Sequence, residues 1–323
     1  MFITCPASST SIVIVVSIFI TGTLLRVCPR LLEISVTAVT VNQTTVASKQ
    51  NETFRGHLID SRDQLAGVTN TSFNCVKATT SGMTFPICVY GETEDVWLSK
   101  DFIRGGYWER MFVDRFIRLL RRYPEIDFVE LGANIGAFTL PAARITHVVA
   151  VEPYSQSMVR LLKSIQLGGL EKNVSLVFNA ISNKRSTSKL GFHSGNVGGT
   201  YLKETDTTDC SSDGSCTRTI VLDDLLPVMR RRRAVMKVDV EGHQPHVFTN
   251  STAAKFFALV DVPIILMEWK LCQQQNVSSQ VLDLVHFFTA RQYQVFSEND
   301  RPLGSNCRQW TNNVVFSKET VKF

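Results

Sequence analysis

The chain has 323 residues, of which 44% are hydrophobic and 20% charged, and its net charge is +5. That fits one large globular domain with appendages. The charge is mild and no basic run is interleaved with aromatics, which argues against nucleic acid as a partner; no internal repeat is visible.

Residues 12–25 are almost entirely apolar, broken only by Ser17, Thr21, Gly22 and Thr23. The run is short for a membrane span, although residues 7–28 would cross a thin bilayer. Neither a basic leader nor a small-residue cleavage site is evident. Residues 1–35 are therefore expected to be a signal-anchor, with a cleaved signal as the second choice. Arg26 and Arg30 favour a cytosolic placement of the chain beyond them. Against them stand sequons at Asn42, Asn51, Asn70, Asn173, Asn250 and Asn276, and an even set of cysteines: Cys75, Cys88, Cys210, Cys216, Cys272 and Cys307. The combination outweighs two arginines and points to a domain in the oxidising lumen of the Golgi or endoplasmic reticulum, or secreted.

Residues 36–94 are read as a glycosylated stem or linker, rich in Ser, Thr and Asn through residue 85. Pairing Cys75 with Cys88 would close a short loop at its end. Residues 95–323 form the expected domain. Met111 to Leu120 carry apolar residues at helical spacing, and Arg121 and Arg122 suit the helix end. Strands are expected at 126–131, 147–152, 174–179, 234–240 and 262–268, alternating with helices at 137–145, 154–167, 244–250 and 277–290. Strands 292–296 and 310–316 close the chain. Such alternation gives an α/β, mostly parallel sheet with ligands outside the strands' C-terminal ends. The long polar insertion from Ser182 to Cys216 suits a lid or substrate loop. Cys210 with Cys216 would close a turn, leaving Cys272 for Cys307.

Two stretches carry the chemistry. In Phe128-Val-Glu-Leu-Gly-Ala-Asn-Ile-Gly-Ala-Phe138, a buried strand runs into a turn bracketed by Gly132 and Gly136, then a helix. That unit brings backbone N–H groups and a helix N-terminus to a ligand. The next strand ends in Glu152, about 20 residues on, where a ribose is held by its hydroxyls. Asn134 stands where a dinucleotide site wants a glycine. Glu130, just before the turn, would repel a pyrophosphate but favour a cationic cofactor. S-adenosyl-L-methionine (SAM) is therefore expected over NAD. An ordinary strand–turn–helix is the bland alternative.

The second stretch is Ala234-Val-Met-Lys-Val-Asp-Val-Glu-Gly-His243. Asp239 and Glu241 are expected on one side of an extended strand, with His243 opening the next helix. This group suits deprotonation of a hydroxyl; helix capping and loop anchoring compete with that role. The spacing allows a metal but does not demand one. Glu268, closing the strand Leu-Met-Glu, is a substrate-side candidate at the same edge. Arg230 to Arg233 are read first as a solvated loop, then as a processing site or a dock for an anionic substrate.

Gly-Gly-Tyr-Trp108-Glu, Val-Glu-Leu-Gly-Ala-Asn-Ile-Gly, Val-Glu-Pro153, Val-Leu-Asp223-Asp-Leu, Lys-Val-Asp-Val-Glu-Gly-His and Leu-Met-Glu together resemble the FkbM-type methyltransferases, and most closely their animal, membrane-anchored members, over roughly residues 95–318. The resemblance implies a Rossmann-like, seven-stranded SAM-dependent fold with an antiparallel edge strand, methylating a hydroxyl oxygen of a glycan or small molecule. It implies that Glu130, Gly132, Asn134 and Gly136 cradle the methionine part of SAM and that Glu152 takes the ribose. Asn179 and Ala180 would lie by the adenine, and Asp239 and Glu241 would face the methyl-transfer site. Trp108 joins Glu268 as a substrate candidate. Two departures stand out: Glu130 where many relatives carry Asp, and Gln244 where a Glu is common.

Overall fold

The computed structural model describes residues 58–59, 72–123, 125–203, 215–271 and 278–319. The apolar run 12–25, most of the expected stem, Cys210 and Cys272 lie outside them. Among the described residues no helix is long and apolar enough to cross a membrane.

In chain order, β1 is Leu58–Ile59, β2 Asn74–Thr80 and β3 Met83–Val89. Helices α1 (Leu98–Ile103) and α2 (Arg110–Arg122) come next. Then come β4 (Asp127–Leu131), the single turn α3 (Thr139–Ala142), β5 (Val148–Val151), α4 (Ser155–Leu167) and β6 (Val174–Val177). Four strands succeed them: β7 (Ala180–Ile181), β8 (Thr187–His193), β9 (Asn196–Leu202) and β10 (Cys216–Ile220). The chain closes with β11 (Arg233–Val238), α5 (Gln244–Val247), α6 (Ala254–Leu259), β12 (Asp261–Glu268), α7 (Ser279–Thr289), β13 (Gln294–Ser297) and β14 (Asn313–Ser317).

The main sheet runs β1-β6-β5-β4-β11-β12-β14-β13. From β6 to β12 it is parallel; β1 at one edge is antiparallel to β6, and β14 is antiparallel to β12 and to the other edge strand, β13. Strands such as Val-Val-Ala-Val are apolar throughout because helices cover both faces of a parallel sheet. Phe128, Val148, Ala150, Leu176 and Val235 pack on one face; Val129, Val149, Val151, Met236 and Val238 pack on the other. The chain reverses its direction of strand addition between β4 and β11, and a crevice opens there at the strands' C-terminal ends.

Several expectations shift. The helices expected over 137–145 and 244–250 shrink to one turn each. The insertion after Ser182 is mainly structured: β7, β10, β8 and β9 form a second sheet. The linker reading fails for 74–89, where β2 and β3 pair as a hairpin. Cys75 sits opposite Cys88 and is disulfide-bonded to it as expected. Phe85, Ile87 and Val89 of the hairpin enter the same core as α4. Cys216 and Cys307 are disulfide-bonded as well.

The arginine run lies at the opposite edge of the sheet from the crevice. The N–H groups of Arg230 and Arg231 both donate to the buried Asp127 carboxylate, at 2.7 and 2.9 Å. Arg233 begins β11 and pairs with Asp261 and Glu319. That position removes it from any dock at the site.

Candidate active site

The glycine turn is dictated by close approach. Gly132 has φ +86°, and a Cβ there would lie 1.8 Å from the backbone oxygen of Asp239, so only glycine lets the ends of β4 and β11 meet. Gly136, at φ +99°, leaves room for Leu161 of α4, 2.5 Å from where its Cβ would stand. It serves helix packing and is not on the cavity wall. Asn134 takes the left-handed conformation that asparagine tolerates, φ +49°. Its N–H donates to Glu152 Oε2 at 2.8 Å, and its Oδ1 accepts from Ser157.

Glu152 is the hub of this corner. It is 5% exposed, and Oε1 accepts the N–H of Tyr154 at 2.8 Å. Burial raises its carboxyl from the ordinary 4.5 to about 7, against the pull of the two backbone N–H groups. Each oxygen keeps a second lone pair beside the cavity, which is what a vicinal diol needs from a carboxylate.

The cavity has a volume of about 880 Å³, counting the part open to solvent. Glu130, Gly132, Asn134 and Glu152 line one side and Asn179 and Ala180 another, while Val197, Gly198 and Thr200 of β9 close over it. Asn179 is buried and its amide donates to the Arg218 carbonyl, tying the cavity floor to the second sheet. These residues fit SAM in size and in donor set: a diol partner at Glu152 and carboxylates near its cationic end.

Glu130 is buried and paired in register with Lys237. It accepts a hydrogen bond from Thr139 Oγ1 and lies 3.9 Å from Lys237 Nζ. Burial raises it to about 7. Lys237 also bonds Asp239 Oδ2 at 3.1 Å and sits 4.9 Å from the Phe138 ring centroid. Burial alone would push Asp239 up, but the charge and hydrogen bond of Lys237 outweigh it and hold the carboxyl below its usual range.

The strand stops at Val238, so Asp239 and Glu241 do not converge by strand alternation as expected. Glu241 turns back through a left-handed residue, φ +49°. Its carboxylate then meets those of Asp239 and Glu268, one oxygen from each within 4.8 Å of the others. Burial, and then the charge of Asp239, raise Glu241 to about 7. Glu268 is raised further by the same causes and is bonded to Lys270. The three oxygens are close enough for a cation, but Lys237 and Lys270 already pair with two of the carboxylates.

His243 is on the cavity wall but apart from this group. Its Nε2 is 2.9 Å from Ser182 Oγ, and its ring stacks on His246 at 4.4 Å. Burial and His246 lower it to about 4, so it is neutral at pH 7. Gln244 is buried and its amide donates to the Glu268 carbonyl, which accounts for an uncharged residue there. Trp108 lies at the cavity mouth, 6.0 Å from the ring of Trp97. The sequence reading missed Lys237 and Lys270, although a lysine inside Ala-Val-Met-Lys-Val was a visible signal. It also missed Trp97 and the covering strand β9.

The model of the methyltransferase FkbM domain matches residues 130–295. No curated protein matches the chain. Among solved structures, the chain is similar to a precorrin-6y C5,15-methyltransferase from Geobacter metallireducens, with 13% identity, 64% of this chain and 87% of the other covered, and a TM-score of 0.35. It is also similar to a magnesium protoporphyrin IX methyltransferase from Synechocystis, with 10% identity, 70% and 85% covered, and a TM-score of 0.35. A third is an O-methyltransferase from Bacillus cereus, with 12% identity, 64% and 77% covered, and a TM-score of 0.34.

Proposed function

We propose that this chain, which belongs to the FkbM methyltransferase family and so is a SAM-dependent methyltransferase, methylates a hydroxyl oxygen of a glycan or small molecule. One observation carries the hydroxyl reading: two adjacent carboxylates are held in different protonation ranges beside the cofactor cavity. Asp239 is kept ionised by Lys237, while Glu241 sits near 7. Environments that push two such groups apart assign an electrostatic partner and a base.

SAM, when bound, supplies a methyl group already activated by its sulfonium, so alignment and proton removal are left to the protein. Asp239, fixed by Lys237, offers a negative charge to the cationic end of the cavity. Glu130, Asn134 and Glu152 would hold the cofactor, and Glu241 would accept the proton of an acceptor hydroxyl placed beside it. His243, neutral and bonded to Ser182, lines the cavity.

The setting we propose is the secretory lumen, with the N-terminal segment as a single-pass anchor. The Cys75–Cys88 bridge, the bonded Cys216 and Cys307, and the sequons support this compartment. The test is transfer of labelled methyl from SAM to glycans of the secretory route by the full chain and by Asp239→Asn. Label moved by the wild type and lost in the variant is the expected result. Tight SAM binding with no transfer to any hydroxyl acceptor would favour a non-catalytic binding protein.

A further inference from the structure

The cofactor cavity opens past Asp239 and Glu241 into a second depression of about 1100 Å³, again counting the part open to solvent. The two share Trp108, Asn134, Gly198, Asp239 and Glu241, so a group lying in the depression borders the same carboxylates as the cofactor cavity. Its outer wall has an uncommon make-up. Trp97 is 55% exposed, although an indole is one of the largest apolar surfaces a protein can bury. Its ring leans on Trp108 at an interplanar angle of 58°, which fixes its orientation. The same depression is lined by Asn196, by Asn313, whose side chain bonds Glu109, and by the Glu268–Lys270 pair.

These groups are held in place by the fold. Asn313 is in register with Glu268 across β14 and β12. Asn196 is bridged to Asp95, and its Oδ1 accepts the N–H of Gly199 at 3.1 Å. Asp95 spends its carboxylate on the N–H groups of Leu98 and Ser99 and on the Ser99 hydroxyl. Glu109, Asp239, Glu241 and Glu268 border the depression, against Lys270 on its wall and Lys237 beneath. Burial and mutual repulsion already raise the Glu109, Glu241 and Glu268 carboxyls, so an anionic acceptor would add charge where it is resisted, and the Arg230–Arg233 run is at the far edge of the sheet.

We propose that this depression is the acceptor site and that it takes an uncharged polyhydroxylated ring, a neutral pyranoside, laid against Trp97 with its hydroxyls met by Asn196, Asn313 and Glu268. An aromatic face with a few convergent planar polar groups is the arrangement that grips a ring apolar on its faces and polar at its rim. The inference rests on the methyl-transfer reading above and narrows its acceptor.

The test uses the full chain, with neutral methyl glycosides and β-linked disaccharides, and methyl glucuronides as the anionic counterparts. Binding is followed by tryptophan fluorescence with and without S-adenosylhomocysteine, and transfer with labelled SAM. Neutral glycosides should be bound and methylated, with kcat/KM at least tenfold above the glucuronides. Trp97→Ala should raise the acceptor KM about tenfold while changing kcat and S-adenosylhomocysteine affinity less than threefold, and Trp97→Phe should restore most of it. Equal use of glucuronides, an unmoved KM in Trp97→Ala, or no glycoside binding by protein that holds S-adenosylhomocysteine would overturn the proposal. Glycoside binding by protein that does not bind S-adenosylhomocysteine would keep the cleft and remove the methyl-transfer reading instead.

Discussion

Replacing Glu152 by Gln tests the diol contact while keeping the side chain's shape. The carboxylate now accepts two backbone N–H groups, from Asn134 and Tyr154, each at 2.8 Å. Glutamine has one oxygen, so one of these N–H groups would face an amide NH₂. Losing a hydrogen bond to a charged group costs about 1.5–3 kcal/mol. A ribose held by both carboxylate oxygens loses one acceptor in the same way. At about 1.4 kcal/mol per factor of ten, SAM affinity should fall by roughly 10- to 100-fold. Calorimetric titration of SAM into the full chain measures this, with urea denaturation showing that the variant is folded. The wild type should also show a pH signature. Glu152 has its pKa raised to about 7, so without ligand the stability it contributes is complete below about 4.5 and is lost as pH rises through 7. A diol that bonds the ionised form reverses that sense, and affinity should climb up to pH 7 and level off above it. A Glu152→Gln protein that binds SAM within threefold of wild type would refute the assignment.

Three further outcomes are expected. Glu241→Gln should lower kcat by about 100- to 10,000-fold, the usual worth of a general base, with SAM affinity little changed; the wild-type rate should rise with pH through about 7 as Glu241 ionises. Lys237→Met removes the cation shared by buried Glu130 and Asp239 and should destabilise the domain by about 3–5 kcal/mol. The loss should be smaller at pH 6 than at pH 8, because Glu130 can protonate; an equal drop in urea midpoint from wild type at the two pH values would contradict this. Opening the Cys75–Cys88 bridge by a double change to Ser should cost about 3 kcal/mol for a loop of this size, read by urea denaturation; the separation is 13 residues.

The parts legible in the sequence were those set by local rules. The glycine turn, the carboxylate after β5 and the alternation of strands and helices each depend on a few neighbouring residues, and the structure has them where they were expected. The hairpin β2–β3 was hidden because Thr79, Thr80 and Ser81 at its tip read as linker chemistry, while Phe85, Ile87 and Val89 find their partners in α4, far along the chain. Strand β8 has only Leu190 and Gly191 buried, so no apolar period announced it. The meeting of Glu241 with Asp239 and Glu268 needs a left-handed residue and a strand from elsewhere in the chain. Gly136 was assigned to the cofactor because the motif places it there; the side chain that needs its space, Leu161, is on another helix.

The arginine run also makes the chain report on its own integrity. A protease specific for basic residues needs several residues drawn out in its cleft, and Arg230 and Arg231 are tied by their N–H groups to a buried carboxylate while Arg233 is already in the central sheet. Cleavage here requires β11 to leave its neighbours, an opening that approaches global unfolding. The rate at which trypsin cuts between Arg230 and Ala234 therefore measures how often the centre of the domain comes apart.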